Sequence, residues 1–229
     1  MCAARRPPCK KSPFGDFFYL PADCDYPICH AILKPGVVKN PMKLIIFASG
    51  RGSNAQAIIR ATQNGRLGNV RVLSLVSDNP DAPALKIAAD AGIEAVYMDP
   101  MRKGARLSQE ATDNYIKYVK SKSPDLIVLA GFMRILPKNF VEAFDGKIIN
   151  LHPSLLPAYK GKDAIKRSFE AGEKVCGCTI HYVSAELDSG EIIMQSRVPI
   201  EKSDTLESLE EKVHAAEHEL IVKSIQKLS

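Results

Sequence analysis

From Met42 onward the chain alternates short apolar runs with longer amphipathic segments, and this alternation restricts the fold more than any other feature. Five apolar runs lie at residues 43–48, 70–77, 93–98, 125–130 and 147–152. They are rich in Ile, Val and Leu without strict polar–apolar alternation, as expected for strands that are covered on both faces. Helix candidates separate them, at residues 54–64, 83–91, 108–122 and 136–144. Four successive strand–helix–strand units predict an α/β fold, an open, mostly parallel, twisted sheet with helices on both faces.

Beyond the fifth strand the order of elements changes. A helix candidate at 162–171 precedes two strand candidates, 178–184 and 191–200, which a turn-like segment joins and which can pair antiparallel. The final segment repeats apolar residues at intervals of three and four, the pattern of a helix with one core-facing side. Asp204 or Ser203 is the expected N-cap of this helix.

Residues 1–41 differ from the remainder in composition. They contain seven of the 15 prolines and four of the six cysteines, and they show no helical or alternating apolar period. We expect a flexible, disordered N-terminal extension, or an artefact of start-site assignment, in front of a single catalytic domain at 42–229. The alternative is a metal knuckle, although the ligand spacing matches no common zinc pattern. Its candidate ligands are Cys9, Cys24, Cys29 and His30.

The distribution of charge argues against a nucleic-acid-binding protein. The net charge is +5, but residues 42–229 hold 25 Lys and Arg against 23 Asp and Glu, too balanced for a domain that neutralises many phosphates. No stretch approaches the roughly 18 uncharged apolar residues of a membrane-spanning helix, and the first thirty residues lack the order of a secretory signal. We therefore expect a cytoplasmic protein without nucleic-acid or membrane partners.

The first apolar run continues into a glycine-containing loop, residues 50–54, and then a helix. Glycines let the backbone approach a ligand closely, and the unpaired amides of a helix start favour an anion. A phosphate site is the leading interpretation, and a merely tight turn is the alternative. The loop also fits the dinucleotide fingerprint G-x-G-x-x-A, but that fingerprint requires an acid about 20 residues further on. The nearest candidate, Asp78, lies 28 residues beyond Gly50.

Polar side chains follow the fifth apolar run. Asn150 and His152 are two residues apart, so they point to the same side of a strand. The carboxyl ends of parallel strands are where open sheets bind ligands, and packing does not explain two polar side chains there. Asp188 lies in a later loop between two strands. Taken alone it is an ordinary turn residue, and it becomes a candidate only together with the other two.

Five segments together resemble one enzyme family. They are SGRGSN at 49–54, LAGFMRIL at 129–136, INLHPSLLP at 149–157, TIHYVSAELDSG at 179–190, and Glu217-His218 in the final helix. In this order and spacing they resemble the folate-dependent formyltransferases, from Met42 to nearly the end of the chain. The HPSLLP segment and the later ELDSG-type loop are similar to the family in general, whereas the GxGSN loop resembles the glycinamide ribonucleotide branch.

The resemblance implies a Rossmann-like fold and direct formyl transfer from 10-formyltetrahydrofolate to the amine of glycinamide ribonucleotide. It implies no metal and no covalent enzyme intermediate, and the enzyme would be a monomer or a homodimer. The implied catalytic residues are Asn150, His152 and Asp188. The implied ribonucleotide contacts are Gly52, Ser53, Asn54 and Glu217. The implied folate contacts are Met133, Arg134, Ile135, Leu136, Val141, Asn150 and Val183. His181 matches a family histidine with a structural or supporting role.

These residue types suit formyl transfer. Attack of an amine on the formyl carbon creates an oxyanion, for which the Asn150 amide and the His152 ring are suitable donors. A nearby Asp188 carboxylate would favour an imidazolium that protonates the departing folate nitrogen. Two alternatives are a 10-formyltetrahydrofolate hydrolase, which shares the three residues, and a nucleotide-sensing protein without catalysis, which would have lost one of them. His214 departs from the family pattern, which often has Gln or Lys there, close to the phosphate.

Overall fold

The computed structural model describes residues 40–229 as seven strands and six helices. The strands are β1 (Met42–Phe47), β2 (Val70–Ser77), β3 (Glu94–Tyr97), β4 (Leu126–Leu129), β5 (Ile148–His152), β6 (Val175–Tyr182) and β7 (Ile192–Pro199). The helices are α1 (Ser53–Gln63), α2 (Pro83–Asp90), α3 (Gln109–Lys122), α4 (Lys138–Ala143), α5 (Ala164–Glu170) and α6 (Leu206–Leu228). Every predicted strand and helix is present, with ends that differ by up to three residues.

All seven strands form one sheet in the order β3-β2-β1-β4-β5-β6-β7. The pairs among β1 to β5 are parallel, whereas β6 pairs antiparallel with both β5 and β7. The prediction of a mostly parallel sheet with late antiparallel strands is therefore confirmed. Strands β2 and β3 lie on one side of β1, and β4 to β7 lie on the other side. Such a switch point opens a crevice at the carboxyl ends of the central strands, where ligands bind.

The two faces of the sheet carry separate apolar clusters. Leu44 and Ile46 of β1 pack in the cluster that includes side chains of α1, α2, α5 and α6, and Ile45 and Phe47 pack in the cluster that includes α3 and α4. All four side chains are fully buried, which explains why β1 has apolar residues at successive positions. Each such side chain contributes about 1.5–3 kcal/mol of transfer free energy. The prediction of helices on both faces is confirmed.

The predicted N-cap of α6, Asp204 or Ser203, is wrong by one or two residues. Thr205 is the cap: its hydroxyl accepts from the Ser208 N–H at 3.2 Å, and the Ser208 hydroxyl accepts from the Thr205 N–H at 3.0 Å. Asp204 instead pairs with Lys212 Nζ at 2.8 Å, and this partner together with the Glu201 N–H lowers the pKa of Asp204 to about 2. Neighbouring Asp and Thr residues both suit a cap, so composition alone did not separate them.

Across residues 40–229, no helix combines the length and the apolar character that a bilayer crossing requires. The alternative metal ligands Cys9, Cys24, Cys29 and His30 lie outside the described residues, as do residues 1–39 of the predicted extension. The division into an extension and a catalytic domain therefore stays a prediction.

Candidate active site

The three predicted catalytic side chains meet at the carboxyl end of β5. Asn150 and His152 lie on the same side of this strand, and both face Asp188. Asn150 Nδ2 lies 3.4 Å from Asp188 Oδ1, and His152 Nδ1 lies 3.4 Å from Asp188 Oδ2. His152 and Asp188 are buried, with 5% and 9% of their surface exposed. The arrangement places a carboxylate, an imidazole and an amide within one small polar cluster.

A tight loop between β6 and β7 directs Asp188 into this cluster. Asp188 has a positive φ of 48°, and a Cβ at Gly190 would overlap the carbonyl of Tyr182. Only glycine fits at that position, and the loop is thereby held against the end of β6. On the other side, the Gly161 N–H donates to Asp188 Oδ2 at 2.9 Å. The carboxylate is therefore fixed by backbone from two segments.

Asp188 is held in its ionised form. Burial alone would raise the pKa of its carboxyl, but contacts with His181 and with the Gly161 N–H, and the charge of the His152 ring, outweigh burial. The pKa of Asp188 consequently lies below its ordinary value. An ionised carboxylate beside an imidazole favours the protonated ring.

Both ring nitrogens of His152 face oxygen atoms. Nε2 lies 2.9 Å from the carbonyl of Tyr159, and Nδ1 lies 3.4 Å from Asp188 Oδ2. The doubly protonated imidazolium satisfies both acceptors with N–H donors, whereas a neutral ring satisfies only one. A proton on Nε2 faces the Tyr159 carbonyl, so donation from this nitrogen to a ligand requires exchange of that contact.

His181 joins the cluster from the neighbouring strand. It lies opposite Asn150 in the β5–β6 register and is 2% exposed. Its Nδ1 is 2.8 Å from the Tyr182 carbonyl and therefore carries a proton, and its Nε2 is 3.2 Å from Asn150 Nδ2 and 3.7 Å from Asp188 Oδ1. Both N–H groups of the Asn150 amide thus face acceptors of the cluster, so donation to a ligand requires exchange of one contact. The family resemblance implies only a structural or supporting role for His181.

The loop that follows β1 forms the second part of the site. Gly52, with a φ of 77°, is the N-cap of α1. A Cβ at this position would lie 2.6 Å from the Cβ of Ala84, so the loop packs closely on α2. Because a glycine cap has no side chain, the first-turn N–H groups of α1 stay available for an anion. The phosphate site at this loop stays a prediction.

Helix α6 reaches this loop through Glu217, which is 3% exposed. Glu217 Oε2 accepts from Asn54 Nδ2 at 2.9 Å and lies 3.0 Å from His214 Nδ1. The hydrogen bond to Glu217 raises the pKa of His214, although burial and the charge of Arg51 oppose the rise. The structure therefore brings Asn54 and Glu217 together, as the resemblance implies, and adds a histidine that gains positive charge beside them.

The predicted folate segment, residues 133–136, follows β4 and lies between the loops after β1 and β5 in the sheet order. The Met133 N–H donates to Ser49 Oγ at 2.8 Å, while the Met133 side chain is 63% exposed. Val141 and Val183 both line a groove of about 680 Å³. The guanidinium of Arg134 does not join this groove, because it pairs with Asp78.

The fold and the site together define the class of protein. A Rossmann-like sheet with an amide, an imidazole and a carboxylate at its carboxyl edge is an α/β enzyme scaffold suited to acid–base chemistry on a bound ligand. Residues 42–225 match the family model described as formyl transferase. The chain belongs to the formyl transferase family.

Several named proteins are similar to this chain. Phosphoribosylglycinamide formyltransferase of Bacillus subtilis is 38% identical over 186 residues, which cover 81% of this chain and 94% of the relative. The crystal structure of phosphoribosylglycinamide formyltransferase from Bacillus halodurans is 40% identical, with a TM-score of 0.76, over 81% of this chain and 94% of that one. The trifunctional purine biosynthetic protein adenosine-3 of Gallus gallus is 38% identical over 197 residues. That match covers 86% of this chain but only 19% of the trifunctional relative.

Proposed function

We propose that this protein transfers the formyl group of 10-formyltetrahydrofolate to the amine of glycinamide ribonucleotide, giving formylglycinamide ribonucleotide and tetrahydrofolate. The observation that carries the proposal is the buried cluster of Asn150, His152 and Asp188 in a member of the formyl transferase family. The B. subtilis and B. halodurans relatives, both named phosphoribosylglycinamide formyltransferases, support this choice of acceptor. Both substrates are small molecules, and we place the reaction in the cytoplasm.

The chemistry proceeds through a tetrahedral adduct. The ribonucleotide amine attacks the formyl carbon, and the carbonyl oxygen becomes an oxyanion that accepts from Asn150 Nδ2 and His152 Nε2. The bond between that carbon and the folate N10 then breaks, and N10 takes a proton from the imidazolium. The attacking nitrogen loses one proton, which returns His152 to its charged form. Asp188 stays ionised throughout, because its pKa is lowered, and stabilises the imidazolium.

The two substrates would approach the cluster from neighbouring loops. The ribonucleotide phosphate binds the first turn of α1 at Gly52, Ser53 and Asn54, and Glu217 orients the ligand from α6. The formyl folate lies along residues 133–136 and in the groove beside Val141 and Val183. The loops follow β1, β4 and β5, which are adjacent in the sheet, so the two ligands share one edge.

Formyl transfer is tested with purified protein, glycinamide ribonucleotide and 10-formyltetrahydrofolate, by the change in folate absorbance and the mass of the product. We expect turnover that requires the ribonucleotide. Consumption of the folate with water as sole acceptor would instead identify a hydrolase. Ribonucleotide binding without turnover would identify a nucleotide-sensing protein.

We further propose that residues 1–41 are dispensable, because they lack an apolar face that could dock on the domain. A variant that begins at Met42 should keep the melting temperature and turnover of the full chain. Loss of either property, or zinc bound stoichiometrically by the full chain and absent from the truncated one, would contradict this division.

A further inference from the structure

A buried ion pair joins two loops at the carboxyl edge of the sheet, and the mechanism above does not use it. Asp78 directly follows β2, and Arg134 lies after β4, on the other side of β1. Arg134 Nε donates to Asp78 Oδ2 at 2.5 Å, with side-chain exposures of 18% and 5%. The other carboxylate oxygen of Asp78 is buried and accepts no hydrogen bond from the part of the chain that the structure describes. Arg134 therefore supplies the compensation for this buried charge.

Arg134 also holds a third segment. Its Nη1 donates to the carbonyl of Gly104 and, at 3.5 Å, to the carbonyl of Arg102. Beside it, the Ile135 N–H donates to the Ala105 carbonyl at 2.7 Å. Through Nε and Nη1, the guanidinium thus ties residues 102–104 to Asp78. These contacts, with those of the Met133 and Ile135 N–H groups, hold the backbone of residues 133–136 in place.

The same segment is anchored at its other end by Ser49. Ser49 is 8% exposed, and its hydroxyl accepts from the Met133 N–H. Two side chains from different strands, Ser49 after β1 and Asp78 after β2, consequently fix two successive residues of the folate segment. Of the two anchors, the ion pair has the larger effect when Arg134 is removed, because the Asp78 carboxylate is then an uncompensated buried charge.

We propose that Asp78 is a positioning residue for the folate-binding segment 133–136, which acts through Arg134 and sets the affinity for formyl folate without contact to substrate. The inference rests on the proposed function, since that function assigns folate to this segment. The neighbouring ribonucleotide loop contacts the segment after β2 through other residues: the Ala84 N–H donates to the Gly50 carbonyl at 3.2 Å, and Gly52 packs on Ala84. It contacts α6 through Glu217. The two substrates should therefore respond differently when the ion pair is broken.

The first test is Asp78→Asn, which keeps the shape of the side chain and removes its charge. We expect KM for 10-formyltetrahydrofolate to rise about tenfold or more, while kcat and KM for glycinamide ribonucleotide stay within about threefold. Asp81→Asn is the matched control, because Asp81 is exposed and lies three residues away. Arg134→Gln should reproduce the folate effect, and the double variant should be far less impaired than the product of the two single effects.

A second measurement separates positioning from a loss of folding. Binding of tetrahydrofolate is measured by calorimetry, and hydrogen exchange is followed in residues 101–106 and 131–136, at a temperature where each variant is folded. Weaker tetrahydrofolate binding with faster exchange in these segments supports the proposal. An unchanged folate KM, or equal losses for both substrates, would overturn it. If the wild type shows no formyl transfer, the proposed function fails. The positioning role of Asp78 is then tested by tetrahydrofolate binding alone. Equal or undetectable binding in the wild type and the variant overturns that role.

Discussion

Asp188→Asn is the most direct test of the catalytic cluster, because it preserves the size of the side chain and removes only its charge. Asp188 Oδ2 lies 3.4 Å from His152 Nδ1. At an effective dielectric constant of about 20, two unit charges at this distance attract by about 5 kcal/mol. Part of this attraction is offset when water and the amide dipole stabilise the ring in the variant. A net loss of about 3 kcal/mol in the barrier, roughly a hundredfold in kcat, is expected.

The pH dependence of this loss has a definite sign. A carboxyl with a lowered pKa is ionised above that pKa, so wild-type Asp188 keeps its charge throughout the neutral range. The loss of turnover in Asp188→Asn should therefore persist throughout the neutral range. It should shrink only as the pH falls towards the pKa of Asp188, where the wild type loses its charge as well.

The assay is formyl transfer at saturating substrates, with kcat followed from acid to neutral pH. Asp90→Asn is a suitable control, since Asp90 lies on the exposed face of α2 and pairs with Lys86. This control should show wild-type turnover. Near-wild-type kcat in Asp188→Asn, in a protein with an unchanged melting temperature, would refute the electrostatic role of the carboxylate.

Three further changes test the remainder of the site. Asn150→Ala should lower kcat about a hundredfold, and its combination with His152→Ala should cost much less than the product of the single losses; strictly multiplicative kinetics would contradict a shared transition-state role. Gly52→Ala should raise KM for the ribonucleotide and reduce the free energy of unfolding by about 1–3 kcal/mol, measured by denaturant titration, because the new Cβ meets α2 at a positive φ. Glu217 raises the pKa of His214, and below that pKa the ring is charged and attracts the phosphate. As the pH rises through this pKa, the attraction is lost and KM for the ribonucleotide should increase. His214→Gln should flatten this pH dependence of KM.

The fold could be predicted from the sequence because a strand that is buried on both faces has apolar residues at successive positions. Strand β1 is covered on both faces, so Leu44, Ile45 and Ile46 are all apolar and the run stands out. The strand ends differ from the predicted ones, as in β6, which begins at Val175 rather than at Cys178. Val175 is only half-buried at the start of the strand, and its pairing with Pro199 depends on a register that the sequence does not display.

Contacts in the candidate site can be predicted from the sequence where the residues are close together along the chain. Asn150 and His152 share a side because strands alternate. The contact of His181 with Asn150 depends on the antiparallel register of β6 on β5, and no local pattern encodes that register. The pairing of Arg134 with Asp78 joins positions 56 residues apart and was equally hidden. Long-range pairs of this kind need the folded chain.

The hydrogen bond from Asn54 to Glu217 joins positions 163 residues apart. During synthesis, Asn54 leaves the ribosome long before α6 does, and the glycine loop exists in the nascent chain without its carboxylate partner. All seven strands are made before α6 can pack against α1. A growing or interrupted chain should therefore hold the ribonucleotide poorly until α6 has left the ribosome and packed against α1.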